Sequence, residues 1–518
     1  MTLSANVNSD NYLGFDHQGI ETSVVARFER IAEVFALRVA ITSQGRRITY
    51  ERLNQKANQL AHLLVRSSPD SETPVTIVLD HDIPIIIAIL GILKAGRAYV
   101  VLDPTAPQRR LADIVEEVDP HVIVSNKDYT SITDELVNGA RQVITLDGGI
   151  DDSVSTASLG QPIESTTLAG IFYTSGSTGR PKGVQRQHRE ILQRIWQETT
   201  DFHINADDNV ALLYFCGFGS STTDLFNALL NGATLCLYDF RQEGLLGLAD
   251  WLQREAITLF HLPIALFQQW LDTLSPQDYF AQVRVLTPSG KLYRRDVERS
   301  WQHFSPHLQF VQRFASTEAG LCTRIIFTPD AALPDSPVIP VGYPFPDKEV
   351  LLLDDADQPT HGPGTGQIVI KSRYLSPGYW RNETLTRNKF IPDPDDPQIR
   401  LYFTGDQGRR RADGCLEFLG RADNMVKIRG YRVEPAEVET ALRDLDCVSQ
   451  ATVIAQTESG KEPCLVAYVV PRDSNPRSQT QELPRELNQA LRQVLPDYLV
   501  PAAYVILPEL PLTPNGKI

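Results

Sequence analysis

The sequence predicts an α/β protein: a large N-terminal region of layered α/β subdomains, a small β-subdomain, and a small mobile α+β domain at the C-terminal end. Three observations predict it. The chain has 518 residues, more than one ordinary hydrophobic core can organise, so two or more domains are expected. Short apolar strands alternate with helices of three-and-four spacing over residues 39–125, the pattern of a doubly wound sheet. Beyond residue 430 the pattern changes to helix, two strands and helix, filling about 95 residues, an ordinary domain size.

Residues 1–20 are polar, form a flexible segment and carry no basic-plus-apolar leader. Over 20–37, Val24, Val25, Phe28, Ile31, Val34 and Phe35 recur at helical spacing. Residues 39–43 and 47–50 read as strands around the turn Gln44-Gly45-Arg46. Residues 50–66 form an amphipathic helix with Leu53, Ala57, Leu60, Leu63 and Leu64 on one face. A strand at 74–79 precedes a buried helix at 83–93, and Lys94 to Pro104 reads as helix end, strand and turn. Strands follow at 122–125 and 142–146, and 148–167 is a Ser/Gly/Asp/Thr-rich surface connection. His188 opens a helix over 188–198, and 257–262 is a strand. Residues 338–354 and 366–370 are strands of the β-subdomain, and Asp406 closes a strand at its turn. The last domain has helices at 435–445 and 482–494 and strands at 450–455 and 465–470.

Composition narrows the function. The net charge of −15 argues against general nucleic-acid binding and against an anionic membrane surface. The longest apolar run, 83–93, is too short to span a bilayer. The six cysteines, 216, 236, 322, 415, 447 and 464, contain no C-x-x-C pair and fit free thiols in a reducing cytoplasm.

The most informative stretch is 171–183, IFYTSGSTGRPKG. Thr174, Ser175, Gly176, Ser177, Thr178 and Gly179 supply hydroxyls and closely approachable backbone N–H groups, and Lys182 adds a positive charge. That is the chemistry of a phosphate cradle. It is not a Walker A loop: counting from Gly176, Pro181 stands where the second glycine belongs. The order of residues resembles the phosphate loop of the adenylate-forming superfamily, which includes acyl-CoA synthetases, luciferase-like enzymes and nonribosomal peptide synthetase adenylation domains. Further stretches match in family order, and the resemblance runs from about residue 22 to 518. It is strongest to adenylation domains of the nonribosomal peptide synthetase type.

The resemblance implies ATP and Mg2+. Phe314 would stack on adenine, with Ala315 and Ser316 beside it. Thr317 would bond phosphate, and Glu318 would hold magnesium, an ion that takes one or two carboxylates plus phosphate oxygens and waters. Asp406 would accept both ribose hydroxyls, and Arg421 would approach ribose and phosphate. Lys517 would touch the substrate carboxylate and the ATP phosphate, and is expected to act in catalysis with Thr174, Lys182 and Glu318. Asp423 matches the hinge between a core at 21–422 and a small domain at 423–518. Gly430 would line a tunnel for a phosphopantetheine thiol.

The acid pocket departs from the family at one place. In amino-acid-activating members an aromatic residue is followed by an aspartate that pairs with the substrate ammonium. Phe218 matches the aromatic residue, and Gly219 stands at the aspartate position. A buried ammonium without a partner costs about 3–5 kcal/mol, so the expected acid lacks an α-amino group. The matching also gives Ser220, Thr223, His261, Val285, Thr287, Arg313, Leu321 and Cys322 as pocket residues. Arg313 and His261 either face the acid, favouring an α-keto or second carboxylate group, or Arg313 turns away to an acidic neighbour. Pro288-Ser289-Gly290 replaces the family's Gly-Gly-Glu.

The expected activity is acid + ATP → acyl-AMP + pyrophosphate, then transfer to the phosphopantetheine thiol of a carrier protein, in cis or in trans. The partners are thus a carboxylic acid, ATP and a carrier protein, with no nucleic acid and no membrane. Two alternatives stay open: transfer to CoA, as in acyl-CoA synthetases, and a nucleotide-binding homologue without catalysis. Retention of Lys182, Glu318, Asp406 and Lys517 argues against the second. The extent of the chain suggests an initiating, stand-alone or excised activation unit.

Overall fold

The strand–helix alternation of the N-terminal region feeds two sheets. The structure is a computed structural model and describes residues 11–68, 72–137, 141–147, 150–151, 153–175, 181–354, 356, 358–360, 362–421, 425–428, 430–456, 463–472 and 482–510. Val39–Ser43 and Arg46–Thr49 form the first hairpin. Thr49 then caps the Tyr50–Ser67 helix, its side chain accepting from the Arg52 N–H. Tyr50, shared in the sequence reading by the strand at 47–50 and the helix at 50–66, is the first helical residue. It is fully buried, and its hydroxyl donates to the Ala233 carbonyl at 2.6 Å.

This hairpin bypasses the strands that follow it in sequence and pairs in parallel with Thr234–Leu237. The result is a nine-stranded sheet. Its order is Tyr343–Pro344, Gly320–Phe327, Gln309–Ser316, Val285–Ser289, Leu259–Pro263, Asn209–Leu212, Thr234–Leu237, Val39–Ser43 and Arg46–Thr49. The inner pairs are parallel and the outermost are antiparallel. A six-stranded sheet has the order Gln142–Thr145, Val122–Ser125, Val75–Val78, Tyr99–Leu102, Leu168–Thr174 and Lys182–Gln187. The Ile83–Lys94 helix is buried through most of its length, as its uninterrupted apolar run requires.

The small β-subdomain is a five-stranded antiparallel sheet. Glu349–Leu353, Gly364–Ser372, Arg400–Arg410 and Phe390–Pro392 follow in that order, and Leu416–Arg421 pairs with Arg400–Arg410. The strand expected over 338–354 is not continuous. Tyr343–Pro344 belongs to the nine-stranded sheet, and only Glu349–Leu353 belongs to this one. Pro340, Pro344 and Pro346 remove the ladder donors that a longer strand would need.

The chain forms two compact units. The first comprises Met1–Pro104, Val118–Phe172 and Val184–Leu419, and the second Thr105–Glu117, Tyr173–Gly183 and Gly420–Ile518. Two segments expected in the large core therefore group with the C-terminal residues. Arg110, on the Gln108–Val118 helix, makes a buried ion pair with Glu437, and the Ser175 hydroxyl donates to the Arg432 carbonyl. The C-terminal residues form a three-stranded sheet of Val448–Gln456, Cys464–Pro471 and Ala503–Ile506, with helices Pro435–Arg443 and Glu482–Arg492. Val438, Leu442, Leu487 and Leu491 from the two helices share a core with Val453, Ala467 and Val469 from the sheet. Among the described residues no helix is long and apolar enough to cross a membrane.

Candidate active site

In the first unit, Gln309–Ser316 and Gly320–Phe327 make a hairpin whose register shifts between Phe314 and Ala315. The shift leads into a tight turn at Thr317-Glu318-Ala319. Ser316 fixes that turn by accepting from the Ala319 N–H at 3.0 Å. Glu318 is fully buried, and its Oε1 accepts from the Tyr379 hydroxyl at 2.9 Å. Arg186 anchors the same turn by donating to the Thr317 carbonyl at 2.6 Å. Burial lowers the pKa of the Arg186 guanidinium, and the carboxylates of Glu190 and Glu318 oppose that shift. Phe314 faces Phe418 with ring centroids 6.1 Å apart. Gln312 donates to the Gly290 carbonyl at 3.0 Å and so ties the two strand ends together.

Asp406 does not stand at a strand end. It lies within the long strand Arg400–Arg410, in a bulge. Gln407 pairs with Gln367 and Phe403 with Val369, so Thr404, Gly405 and Asp406 oppose Ile368 alone. Gly405 takes φ 78°, which only glycine adopts without strain. The Thr404 hydroxyl donates to the Ile368 carbonyl at 2.7 Å and accepts from the Asp406 N–H at 2.9 Å. That double use satisfies the backbone groups the bulge takes out of the ladder.

The expected acid pocket gathers on the Ser221–Leu229 helix, the strands Leu259–Pro263, Val285–Ser289, Gln309–Ser316 and Gly320–Phe327, and the turn before the helix. His261 is the ladder partner of Thr287. Thr223, Val285, Leu321 and Cys322 are buried, and burial pushes the Cys322 thiol up to about 12. Phe218 and Ser220 are partly exposed in the turn, and the Phe218 carbonyl accepts from the Ser221 hydroxyl at 2.7 Å. A Cβ added to Gly219 would sit 3.3–3.4 Å from the Thr317 side chain, which places the departure from the family pattern beside the Thr-Glu turn.

Of the two orientations open to Arg313, the structure has the one that pairs with an acid. Arg313 Nη1 donates to Glu198 at 2.5 Å, and its Nη2 lies 3.4 Å from His261 Nε2. His261 Nδ1 lies 3.2 Å from both carboxylate oxygens of Asp224. The Tyr214 ring covers His261 at 4.8 Å, and its hydroxyl bonds Ser289 at 2.6 Å. Burial lowers the His261 pKa, Asp224 raises it, and Arg313 lowers it further. The four groups form one buried chain, Asp224–His261–Arg313–Glu198.

In the second unit, Thr174 ends the Leu168–Thr174 strand, and its Oγ1 is buried with no hydrogen-bond partner. Lys182 begins the next strand and is 9% exposed. Arg421 ends Leu416–Arg421. Gly430 takes φ 80° between Val426–Ile428 and Tyr431–Val433, as the short reversal between those strands requires. Gly176, Ser177, Thr178, Gly179, Asp423 and Lys517 lie outside the described residues.

Sequence reasoning missed Arg186, Arg194, Glu198, Asp224 and Tyr379. Glu190, Arg194 and Glu198 recur every four residues along the His188–Phe202 helix, a spacing that reads as an exposed salt-bridge ladder. All three are buried. No local signal separates them from a solvated face: Ile191, Leu192 and Ile195 fall on a neighbouring face of the helix, so the segment reads as an ordinary amphipathic element.

The model for the AMP-binding enzyme family matches residues 28–380, and the model for the AMP-binding enzyme C-terminal domain matches 437–517. Tyrocidine synthase 1 of Brevibacillus parabrevis is 32% identical over 504 residues, covering 96% of this chain and 44% of the relative. Gramicidin S synthase 2 of Brevibacillus brevis is 31% identical over 484 residues, covering 93% of this chain and 10% of the relative. The chain thus spans less than half the length of the curated relatives it matches. A solved NRPS protein containing adenylation and PCP domains, bound to a vinylsulfonamide inhibitor, has a TM-score of 0.81 and 26% identity, covering 96% of this chain and 83% of its own.

Proposed function

The chain belongs to the AMP-binding enzyme family, and on that premise we propose which kind of acid it activates and which acceptor it serves. It is an adenylate-forming ligase of the nonribosomal peptide synthetase adenylation type, activating a carboxylic acid with ATP. The acid carries no α-amino group: an α-keto, α-hydroxy or other acyl acid. Gly219 carries this reading. It brings no carboxylate; among the buried acids, Asp224 is engaged by His261, Glu198 by Arg313, and Glu318 of the adjacent turn accepts from Tyr379. An ammonium there would be buried without a counter-charge.

Adenylate formation is chiefly positioning and charge neutralisation, and no protein nucleophile is needed. In the first unit, Phe314, Ala315, Ser316 and Thr317 receive adenine and phosphate, and Asp406 receives the ribose. In the second, Thr174 to Gly179 and Lys182 cradle phosphates, Arg421 approaches the ribose, and Lys517 screens the attacking carboxylate. The buried Thr174 hydroxyl without a partner fits such a cradle. Glu318 suits magnesium, being a single buried carboxylate oriented by Tyr379. Among the described residues no cluster of three ligands could hold a metal alone, which fits an ion that takes most of its ligands from phosphate and water. When bound, the ion would neutralise phosphate charge.

The acyl group then passes to the phosphopantetheine thiol of a carrier protein, past Gly430, after the domain from 423 turns about Asp423. The relative with adenylation and PCP domains supports this acceptor. Six free cysteines support a reducing, cytoplasmic setting.

ATP–pyrophosphate exchange with matched α-amino, α-keto, α-hydroxy, aryl and plain acyl acids tests the reading. Exchange confined to amine-free acids is expected. Exchange with an ordinary α-amino acid would overturn the role given to Gly219, and no exchange with any acid would favour a nucleotide-binding homologue.

A further inference from the structure

Arg194 is the group in the first unit that the adenylation chemistry leaves unused. It sits midway along the His188–Phe202 helix, is 6% exposed, and its Nε is buried with no hydrogen-bond partner. No ion pair reaches it among the described residues, although carboxylates surround it. Glu198, one turn later and the natural i,i+4 partner, is used up: Oε1 takes Arg313 at 2.5 Å and Oε2 takes Asn227 at 3.3 Å. Both oxygens of Asp224 face His261. Glu190, one turn earlier, makes no ion pair with it: both Glu190 oxygens are buried without a hydrogen-bond partner, and burial pushes its carboxyl up to about 7. The charge on Arg194 is disfavoured by burial and by Arg313 and Arg186, against Glu198 and Asp224, and its pKa falls to about 9. Nearby, the buried Thr223 hydroxyl and both polar atoms of the Gln197 amide also lack partners.

A nearly buried guanidinium that pairs with no protein carboxylate is placed to receive an acceptor from outside, and its planar fork best fits a carboxylate. We propose that the activated acid is a diacid, whose second carboxylate pairs with Arg194. Arg313 and His261, with their own counter-charges, shape the pocket around that group. The inference rests on the adenylation reading and narrows its substrate class. It adds a specificity-determining residue from a helix that contributed no site residue to the sequence reading.

The test uses the full chain and the series malonate, succinate, glutarate and adipate, with their monomethyl esters. Without ATP, at least one diacid should raise the unfolding midpoint of the wild type while its ester does not. Arg194→Met should weaken that binding about 10²-fold, the loss expected of a charge-assisted pair, and abolish the preference over the ester. Unliganded, Arg194→Met should be at least as stable as the wild type, because it removes an unpaired buried charge. In exchange assays the variant should raise KM for the diacid more than it lowers kcat, and Arg194→Lys should recover part of the loss. The proposal is overturned if no diacid in the series binds, if esters bind as well as diacids, or if Arg194→Met keeps the preference. It is also overturned if Arg194→Met destabilises the unliganded protein, which would mark a structural role. Aspartate and glutamate separate this inference from the amine-free reading. If they serve as well as succinate and glutarate, Gly219 has been misread and Arg194 has not.

Discussion

Glu318 and Arg194 are both buried charges in the first unit, and they are built in opposite ways. Glu318 sits in a hairpin turn, receives a tyrosine hydroxyl and has a guanidinium close by. Arg194 sits in the middle of a helix; Glu198 and Asp224 are committed elsewhere, and Glu190 makes no ion pair with it. A turn can aim one side chain and surround it with backbone donors, so its charge is supported before any ligand arrives. A helix aims its side chains by period alone, and the neighbours decide whether a charge is paired. Glu318 thus suits a group common to every turnover, and Arg194 a group that distinguishes one acid from another.

The sharpest way to break this contrast is through turnover. Glu318→Gln and Lys517→Ala should each lower kcat for adenylate formation by about 10²–10³-fold. ATP binding should persist, and KM for the acid should change little. A variant that lost acid affinity instead would erase the distinction from Arg194. Next in size is the pairing of Arg313. Glu198→Gln leaves that guanidinium buried without its counter-charge and should cost about 3–5 kcal/mol in urea unfolding. A cost under about 1 kcal/mol, the range of exposed pairs, would mean that Arg313 is solvated and the buried chain is not cohesive.

The smallest effect concerns His188, which begins the same helix. Its Nδ1 accepts the Val24 N–H at 3.2 Å, and burial lowers its pKa to about 4. The folded chain then refuses a proton that the unfolded chain takes up below about pH 6.5. Its contribution to stability is present above about pH 6.5 and is lost as pH falls toward 4, by at most about 3 kcal/mol. His188→Gln should flatten that acid limb in denaturation measured between about pH 4 and 7. An unchanged limb would assign the acid sensitivity to other groups.

The same contrast explains what the sequence could tell. The turn carrying Glu318 was legible because Phe314, Thr317 and Glu318 are adjacent in the chain, and a tight turn keeps adjacent residues together. The first hairpin, the long apolar helix and the C-terminal helix–strand pattern were legible because their periods and turn residues are local. Long-range pairing was not. Nothing near Val39–Ser43 indicates that it will pair with Thr234–Leu237, almost two hundred residues later. The ladder of Glu190, Arg194 and Glu198 was misleading in a different way. Four-residue charge spacing describes an exposed face, and it is tertiary packing, with the Ser221–Leu229 helix and the Gly320–Phe327 strand among the elements laid against it, that buries it. Arg313 was legible as an unusual residue, but its partner Glu198 lies over a hundred positions away.

The bulge that carries Asp406 has a consequence for how such a sheet can change over time. Between its flanking pairs one strand advances four residues while the other advances two. The excess is two, one full period of the pleat. Side chains on either side of the bulge therefore keep their faces, inward ones staying inward through Gln407 and beyond. A one-residue excess, the commoner bulge, is absorbed instead by a bend and added twist of the strand. A two-residue insertion is thus one that a two-faced sheet can accept without rewriting its core, and this one adds a carboxylate while leaving the remaining hydrophobic pattern intact. Deleting both Gly405 and Asp406 should yield a folded β-subdomain with an ordinary strand.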